Sequence, residues 1–135
     1  MLAMLAMAFT LVFTGCKKDD EPTPITKEKL TAVWKLESMK GSVTAMGFTT
    51  PVNEAGDGET LELKSDGTAI DKDADGVTST GTWTLAGTKI TFKGGSFDGT
   101  YDVKEASNTL VLYQLVEEEA MGIKMKSEMT VNFKK

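Results

Sequence analysis

Histidine and arginine are absent from the 135 residues, and Cys16 is the only cysteine. Without imidazole and with one thiol, neither a Ser-His-Asp nor a Cys-His nucleophile system can be assembled, and the usual zinc ligands are missing. The lack of arginine also removes bidentate recognition of carboxylates and phosphates, which leaves lysine as a point charge. These absences predict a protein that is not an enzyme and that needs no cofactor.

The charged residues all follow Gly15 and give the chain a formal net charge of -5. A negative surface is a poor match for a polyanion, so the sequence predicts no nucleic-acid partner. About 120 residues remain once the first fifteen are set aside, which is the size of one domain with one modest core.

Residues 1–15 are mostly apolar and contain no charged side chain. The run is shorter than the roughly 20 residues that a membrane-spanning helix needs, so it is predicted to be a signal peptide. Signal peptides normally begin with a cationic segment, which this one lacks. We therefore expect translation to begin upstream of Met1.

The apolar run ends at Phe13-Thr14-Gly15-Cys16, which resembles the lipobox of bacterial lipoproteins. The resemblance implies cleavage before Cys16, acylation of its thiol and attachment to a membrane through the lipid. The alternative is a buried cysteine that ends an apolar helix. The abrupt change to Lys17-Lys18-Asp19-Asp20-Glu21 argues against such a helix.

Residues 16–28 are predicted to be the lipidated cysteine and a flexible tether, since charges and two prolines favour an extended segment. Lys18-Asp19-Asp20 is similar to the export signal with which Bacteroidota send lipoproteins to the outer face of the outer membrane. The resemblance implies a surface-exposed outer-membrane lipoprotein of the cell envelope. The alternative is a tether that only holds the domain away from the bilayer.

Residues 29–135 read as an all-β domain in which short strands alternate with turn residues. A single helical turn capped by Thr26 is expected before the first strand. The predicted strands cover residues 33–40, 60–64, 68–71, 80–85, 89–93, 100–104, 109–116 and 123–133. Eight strands in up-and-down order can close into a small barrel, and a sandwich of the same strands is the alternative.

Four segments, residues 30–36, 60–68, 81–85 and 108–112, are similar to successive motifs of the lipocalin-like domains found in Bacteroidota lipoproteins. The resemblance covers nearly all of the mature chain and implies the eight-stranded barrel. True lipocalins have a glycine two residues before the first-strand tryptophan and an arginine packed over it. This chain has Ala32 before Trp34 and no arginine, and Trp34 is expected to plug the closed end of the barrel.

The stretch 41–59 is long for a connection and is predicted to be a lid over the open end. Its Val43, Met46 and Phe48, with Met125 and Met129 of the last strand, are the predicted contacts of a small hydrophobic ligand or a glycan. The alternative is a structural or interaction lipoprotein whose barrel is filled and whose loops dock on another envelope protein. In either case we expect a monomer.

Residues 71–76 reproduce the opening of a calcium loop, with Asp71, Asp73 and Asp75 in alternation and a glycine in sixth place. The twelfth position is Thr82, where the loop needs a bidentate glutamate, and no helices are predicted beside it. A polar hairpin connection is therefore the favoured interpretation, and no metal is predicted. Residues 117–119, three consecutive glutamates, are predicted to be a solvated turn.

Overall fold

A computed structural model describes residues 24–135 of the chain. The predicted signal peptide, Cys16 and most of the tether lie outside the described residues, so the predictions for them stay predictions. One helical turn and nine strands follow in the order α1 Lys27–Leu30, β1 Ala32–Ala45, β2 Phe48–Ala55, β3 Thr60–Leu63, β4 Thr68–Lys72, β5 Thr78–Ala86, β6 Lys89–Lys93, β7 Gly99–Ala106, β8 Thr109–Ala120 and β9 Ile123–Lys134. Within residues 24–135, no helix has the length and apolar character that a membrane crossing requires.

The sheet closes on itself because β1 pairs with β9 as well as with β3. Strands β1 and β3 to β9 form a ring of eight, and all neighbouring pairs in it are antiparallel. The predicted eight-stranded barrel is confirmed. The sandwich alternative is wrong, because one continuous sheet holds every strand.

Local signals explain the elements that the sequence predicted correctly. The hydroxyl of Thr26 accepts a hydrogen bond from the Lys29 N–H and caps α1. Gly67, at φ 89°, turns the chain between β3 and β4, and Asp66 Oδ1 accepts from the Thr68 N–H at 2.9 Å. Hydrogen bonding from the Thr68 side chain, and then from its backbone N–H, lowers the pKa of Asp66, because both bonds favour the ionised carboxylate.

The lid predicted over residues 41–59 is wrong, since most of this stretch belongs to strands. Strand β1 runs on to Ala45, and β2 returns beside it after a two-residue turn at Met46 and Gly47. The sequence hid this hairpin because such turns usually carry Asn-Gly or Asp-Gly, and Met46 takes the left-handed conformation (φ 52°) in their place.

The turn predicted at residues 117–119 is also wrong, because the three glutamates lie inside β8. Glu117 stands directly opposite Lys126 in β9, and Glu119 stands opposite Lys124. Opposite charges in facing positions stabilise an antiparallel pair, so the acidic run is compatible with a strand here.

The barrel interior is filled with side chains. Trp34 is fully buried near α1, and its indole N–H donates to the Leu30 carbonyl at 2.8 Å. From the β6–β7 loop, Phe97 packs 5.6 Å from the Phe133 ring and 6.3 Å from the Phe92 ring. The other large buried side chains are Leu36, Leu61, Leu63, Trp83, Ile90, Tyr101, Val103, Leu110, Leu112 and Val131.

Replacing Trp34 by alanine is expected to lower the free energy of unfolding by about 3–5 kcal/mol, because it leaves a cavity and removes a buried hydrogen bond. Urea unfolding followed by the fluorescence of Trp83 measures the change. Val33→Ala is the matched control, since Val33 is 56% exposed, and its effect should stay below about 0.5 kcal/mol. Equal losses in the two variants would contradict the packing described here.

Candidate functional site

Beyond the barrel the sheet continues as four strands, which we call the extension and define as residues 41–52 and 114–129. Its strand order is β2-β1-β9-β8, and it contains the far half of β1 and most of β2. It also contains the C-terminal half of β8 and the N-terminal half of β9. Both faces of this sheet lie outside the closed ring.

One face of the extension, which we call the inner face, is mostly apolar and continues the alternation of the barrel interior. Facing positions form cross-strand rows, and side chains in one row share a face. The rows, from the barrel outwards, are Val52, Gly41, Met129 and Gln114, then Thr50, Val43, Ser127 and Val116, then Phe48, Ala45, Met125 and Glu118. Phe48 is 78% exposed and Met125 is 45% exposed, so the face is open to solvent.

Four of the five predicted ligand contacts, Val43, Phe48, Met125 and Met129, lie together on the inner face. Met46, the fifth, occupies the β1–β2 turn and is 72% exposed. The prediction therefore identified residues that are neighbours, although they form an open sheet surface and not a lid. Their role in binding stays a prediction.

The opposite, outer face of the extension is mostly polar, with Leu115 as an exposed apolar residue. Its cross-strand neighbours include the Glu117–Lys126 and Glu119–Lys124 pairs, which lie beside a shallow groove of about 610 Å³ near the tips. The Tyr113 hydroxyl donates to a Glu128 carboxylate oxygen at 3.0 Å, which raises the pKa of Tyr113 because the ionised phenol could not donate. A sheet with one polar and one apolar face normally buries the apolar one.

The two edges of the extension are poorly suited to accept another strand. Among the described strands, β2 pairs with β1 alone. Ala45 and Phe48 flank a two-residue turn and form a hydrogen-bonded pair, so Pro51 falls in a non-hydrogen-bonded pair with Ser42. The nitrogen of Pro51 therefore faces the free edge, where it removes a donor, and the acidic run protects the β8 edge by charge.

The tips of the extension are two turns with the same sequence, Ala-Met-Gly. Met46 and Met121 adopt φ values of 52° and 53°, and each is followed by a glycine, Gly47 or Gly122, with positive φ. Met46 is mostly exposed and Met121 fully so. The turns are neighbours, because Met46, Gly47, Gly122, Ile123 and Lys124 line one hollow of about 450 Å³. Unbranched apolar residues are unusual in this conformation and are strained there.

A smaller cavity, of about 180 Å³, lies at the barrel mouth beside Phe97, Phe133 and Met39. Most small-molecule sites are larger, in the range of about 300–1,000 Å³. Asp71 is the one buried charged residue of the described chain, and its carboxylate accepts from the Ser96 N–H at 3.0 Å and the Ser96 hydroxyl at 2.8 Å. No local sequence pattern predicted this contact, because the two residues lie 25 positions apart.

The three carboxylates of the possible calcium loop have separate surroundings. Asp71 faces the barrel mouth, whereas Asp73 Oδ1 accepts from the backbone N–H groups of Asp75 and Val77 at 3.0 and 2.8 Å. Asp73 thereby closes the connection between β4 and β5 as a side-chain turn. Within residues 24–135, no group of three or more acidic or cysteine side chains could hold a metal ion.

In the comparison with protein families, a model described as a lipocalin-like domain matches residues 30–112, more than half of the chain. The chain belongs to the lipocalin-like family. Lipocalin-like barrels are generally binding proteins without enzymatic activity, so the family indicates ligand binding or an interaction role. Comparison with curated proteins and with solved structures gives no significant match.

The match to the lipocalin-like domain includes the β1–β2 half of the extension and ends inside β8. Strand β9 and the Met121 turn lie beyond the matched residues. The inner face of this lipocalin-like chain is therefore formed by two hairpins. The β1–β2 hairpin lies inside the matched region, and the tip of the β8–β9 hairpin lies outside it.

Met46→Asn and Met121→Asn are each expected to raise the free energy of unfolding by roughly 0.5–1 kcal/mol, because asparagine suits the left-handed turn position better than methionine. Thermal and urea unfolding measure the change. Met125→Asn is the matched control, because Met125 is also exposed but lies in a strand, where asparagine is unfavourable. Destabilisation by all three substitutions would show that the turns are not strained.

Proposed function

We propose that this chain is a lipid-anchored cell-envelope protein that acts by binding and that its binding surface is the inner face of the extension. The observation that carries the proposal is the apolar alternation of the barrel interior, which continues for three cross-strand rows beyond the barrel, where no element of residues 24–135 covers it. Soluble proteins rarely expose a contiguous apolar surface of this kind unless it has a partner.

The filled barrel argues against a ligand held in its centre. Trp34 and Phe97 occupy the space at the two ends, and the cavity of about 180 Å³ at the mouth is the volume that remains there. An open sheet would leave much of a small ligand in water, whereas good small-molecule sites bury most of the ligand. The face therefore fits docking on another envelope component better than capture of a small molecule.

A small hydrophobic molecule or a glycan end is the second candidate. The mouth cavity combines four apolar side chains with the Asp71–Ser96 pair and further charged residues, so it offers a shallow site with hydrogen-bonding groups. Its volume limits such a ligand to a few non-hydrogen atoms.

The first described residues and the proposed binding surface lie at opposite ends of β1. Helix α1 precedes β1, and fourteen strand residues then lead to the Met46 turn. At about 3.3 Å per residue this strand is about 45 Å long. A chain anchored through Cys16 would thus have the tether at one end of the barrel and present the extension at the other, which suits display on the outer surface of the outer membrane.

Lipidation is tested by growing expressing cells with an alkyne analogue of palmitate and tagging the labelled proteins. The wild-type chain should carry the label and partition with the outer membrane, and Cys16→Ser should lose both, because Cys16 is the only thiol. Protease added to intact cells should remove the displayed domain. A Cys16→Ser chain that keeps its label would contradict the anchor, and protection from protease would contradict surface display.

The binding surface is tested with 1-N-phenylnaphthylamine, a dye that fluoresces on apolar surfaces. A Phe48→Ser and Met125→Ser double variant is expected to reduce dye fluorescence several-fold, because both side chains lie in one exposed row of the inner face. Val33→Ser and Val77→Ser, at residues 56% and 62% exposed on the barrel, are the matched controls. Equal dye fluorescence in the double variant and the controls would contradict the proposed surface.

A further inference from the structure

We propose that the inner face of the extension binds an amphipathic helix of a partner protein, one whose apolar stripe is flanked at both ends by lysine or arginine. The inference rests on the proposed function and adds the chemistry of the partner. It depends on the dimensions of the face, on where its charges lie, and on the obstacles to other occupants.

The dimensions fit one helix. Four strands about 4.8 Å apart place the outer strand axes about 14 Å from each other, and the span from Met129 to Ile123 is about 20 Å. A helix is about 10–12 Å wide, and 20 Å corresponds to about thirteen residues. An uncovered apolar sheet face is, moreover, the surface that helices cover in layered folds.

Most of the charges on this side of the sheet are carboxylates, and Lys72 at the barrel mouth is the exception. Glu118 lies in the outermost four-stranded row of the inner face, and Glu54 lies at its base, opposite Met39. Glu54 lines the mouth cavity together with Glu59 and Asp71. The lysines of the extension, Lys124 and Lys126, alternate with the inner-face residues of β9 and lie on the outer face.

The two glutamates are separated by the length of the apolar surface. Glu54 is opposite Met39, and Glu118 lies in the row of Ala45, six residues further along β1. The separation is about 20 Å along the strands and about 14 Å across them, because Glu54 is on β2 and Glu118 on β8, so a helix joining them lies diagonally and spans about 24 Å, the length of about sixteen residues. A helix with a basic residue at each end of a four-turn apolar stripe would therefore place a cation near each carboxylate.

Other occupants meet specific obstacles. An added strand meets the missing donor at Pro51 on one edge and the acidic run on the other. A second copy docked face to face would bring together the carboxylates of both chains, which outnumber Lys72, and an anionic lipid surface would meet the same repulsion.

The test uses the chain from residue 16 with Cys16→Ser and two fluorescent 18-residue amphipathic peptides, with leucine stripes of equal length and lysines or glutamates at both ends. Anisotropy titrations should show binding of the lysine peptide and about tenfold weaker binding of the glutamate peptide. Glu54→Gln with Glu118→Gln should remove most of that difference. Glu117→Gln with Glu119→Gln, on the outer face, is the matched control and should preserve it.

The outcomes separate this inference from the proposed function. If phenylnaphthylamine binds the inner face and neither peptide does, or if both peptides bind equally, the inference is overturned and the proposed function stands. If dye fluorescence is also the same for the Phe48→Ser and Met125→Ser double variant as for the Val33→Ser and Val77→Ser controls, the inference and the proposed function are both overturned. A dimer in sedimentation, or binding to anionic phosphatidylglycerol vesicles, that the same variant abolishes would identify a different occupant and overturn the inference.

Discussion

The pairing of β1 with β9 is the constraint on which the rest of the structure depends. It closes the barrel at one end and holds the two hairpins of the extension together at the other. Gly41 lies at the boundary between the closed barrel and the extension, and a Cβ there would collide with the carbonyl group of Glu128. The absence of a side chain at this position lets the two strands approach closely as they leave the barrel.

The sequence predicted the barrel well because its strands alternate and its turns carry standard signals. Asp66 and Gly67 marked a hairpin, and the alternation in β9 from Ile123 to Phe133 marked a long strand with one apolar face. It missed β2 because a methionine occupies the turn, and it missed Phe97 because that ring comes from a glycine-rich loop without alternation. Such packing depends on the tertiary structure and leaves little trace in a local pattern.

The candidate site was predicted as a set of residues but not as a surface. Val43 and Met125 are about eighty positions apart, and only the register between β1 and β9 places both on one face. A shift of one residue in that register would have sent them to opposite faces. The same long-range register turned the glutamates of β8 from a predicted solvated turn into cross-strand partners of lysines.

The closed barrel has a consequence for how this protein can diversify. Its core is complete without any residue of the extension tips, so stability and recognition are assigned to different halves of the same long strands. Substitutions at the tips can therefore accumulate with little penalty in folding, provided that the strands keep their alternation. A protein with this division could change its partner over evolutionary time while its scaffold stays the same.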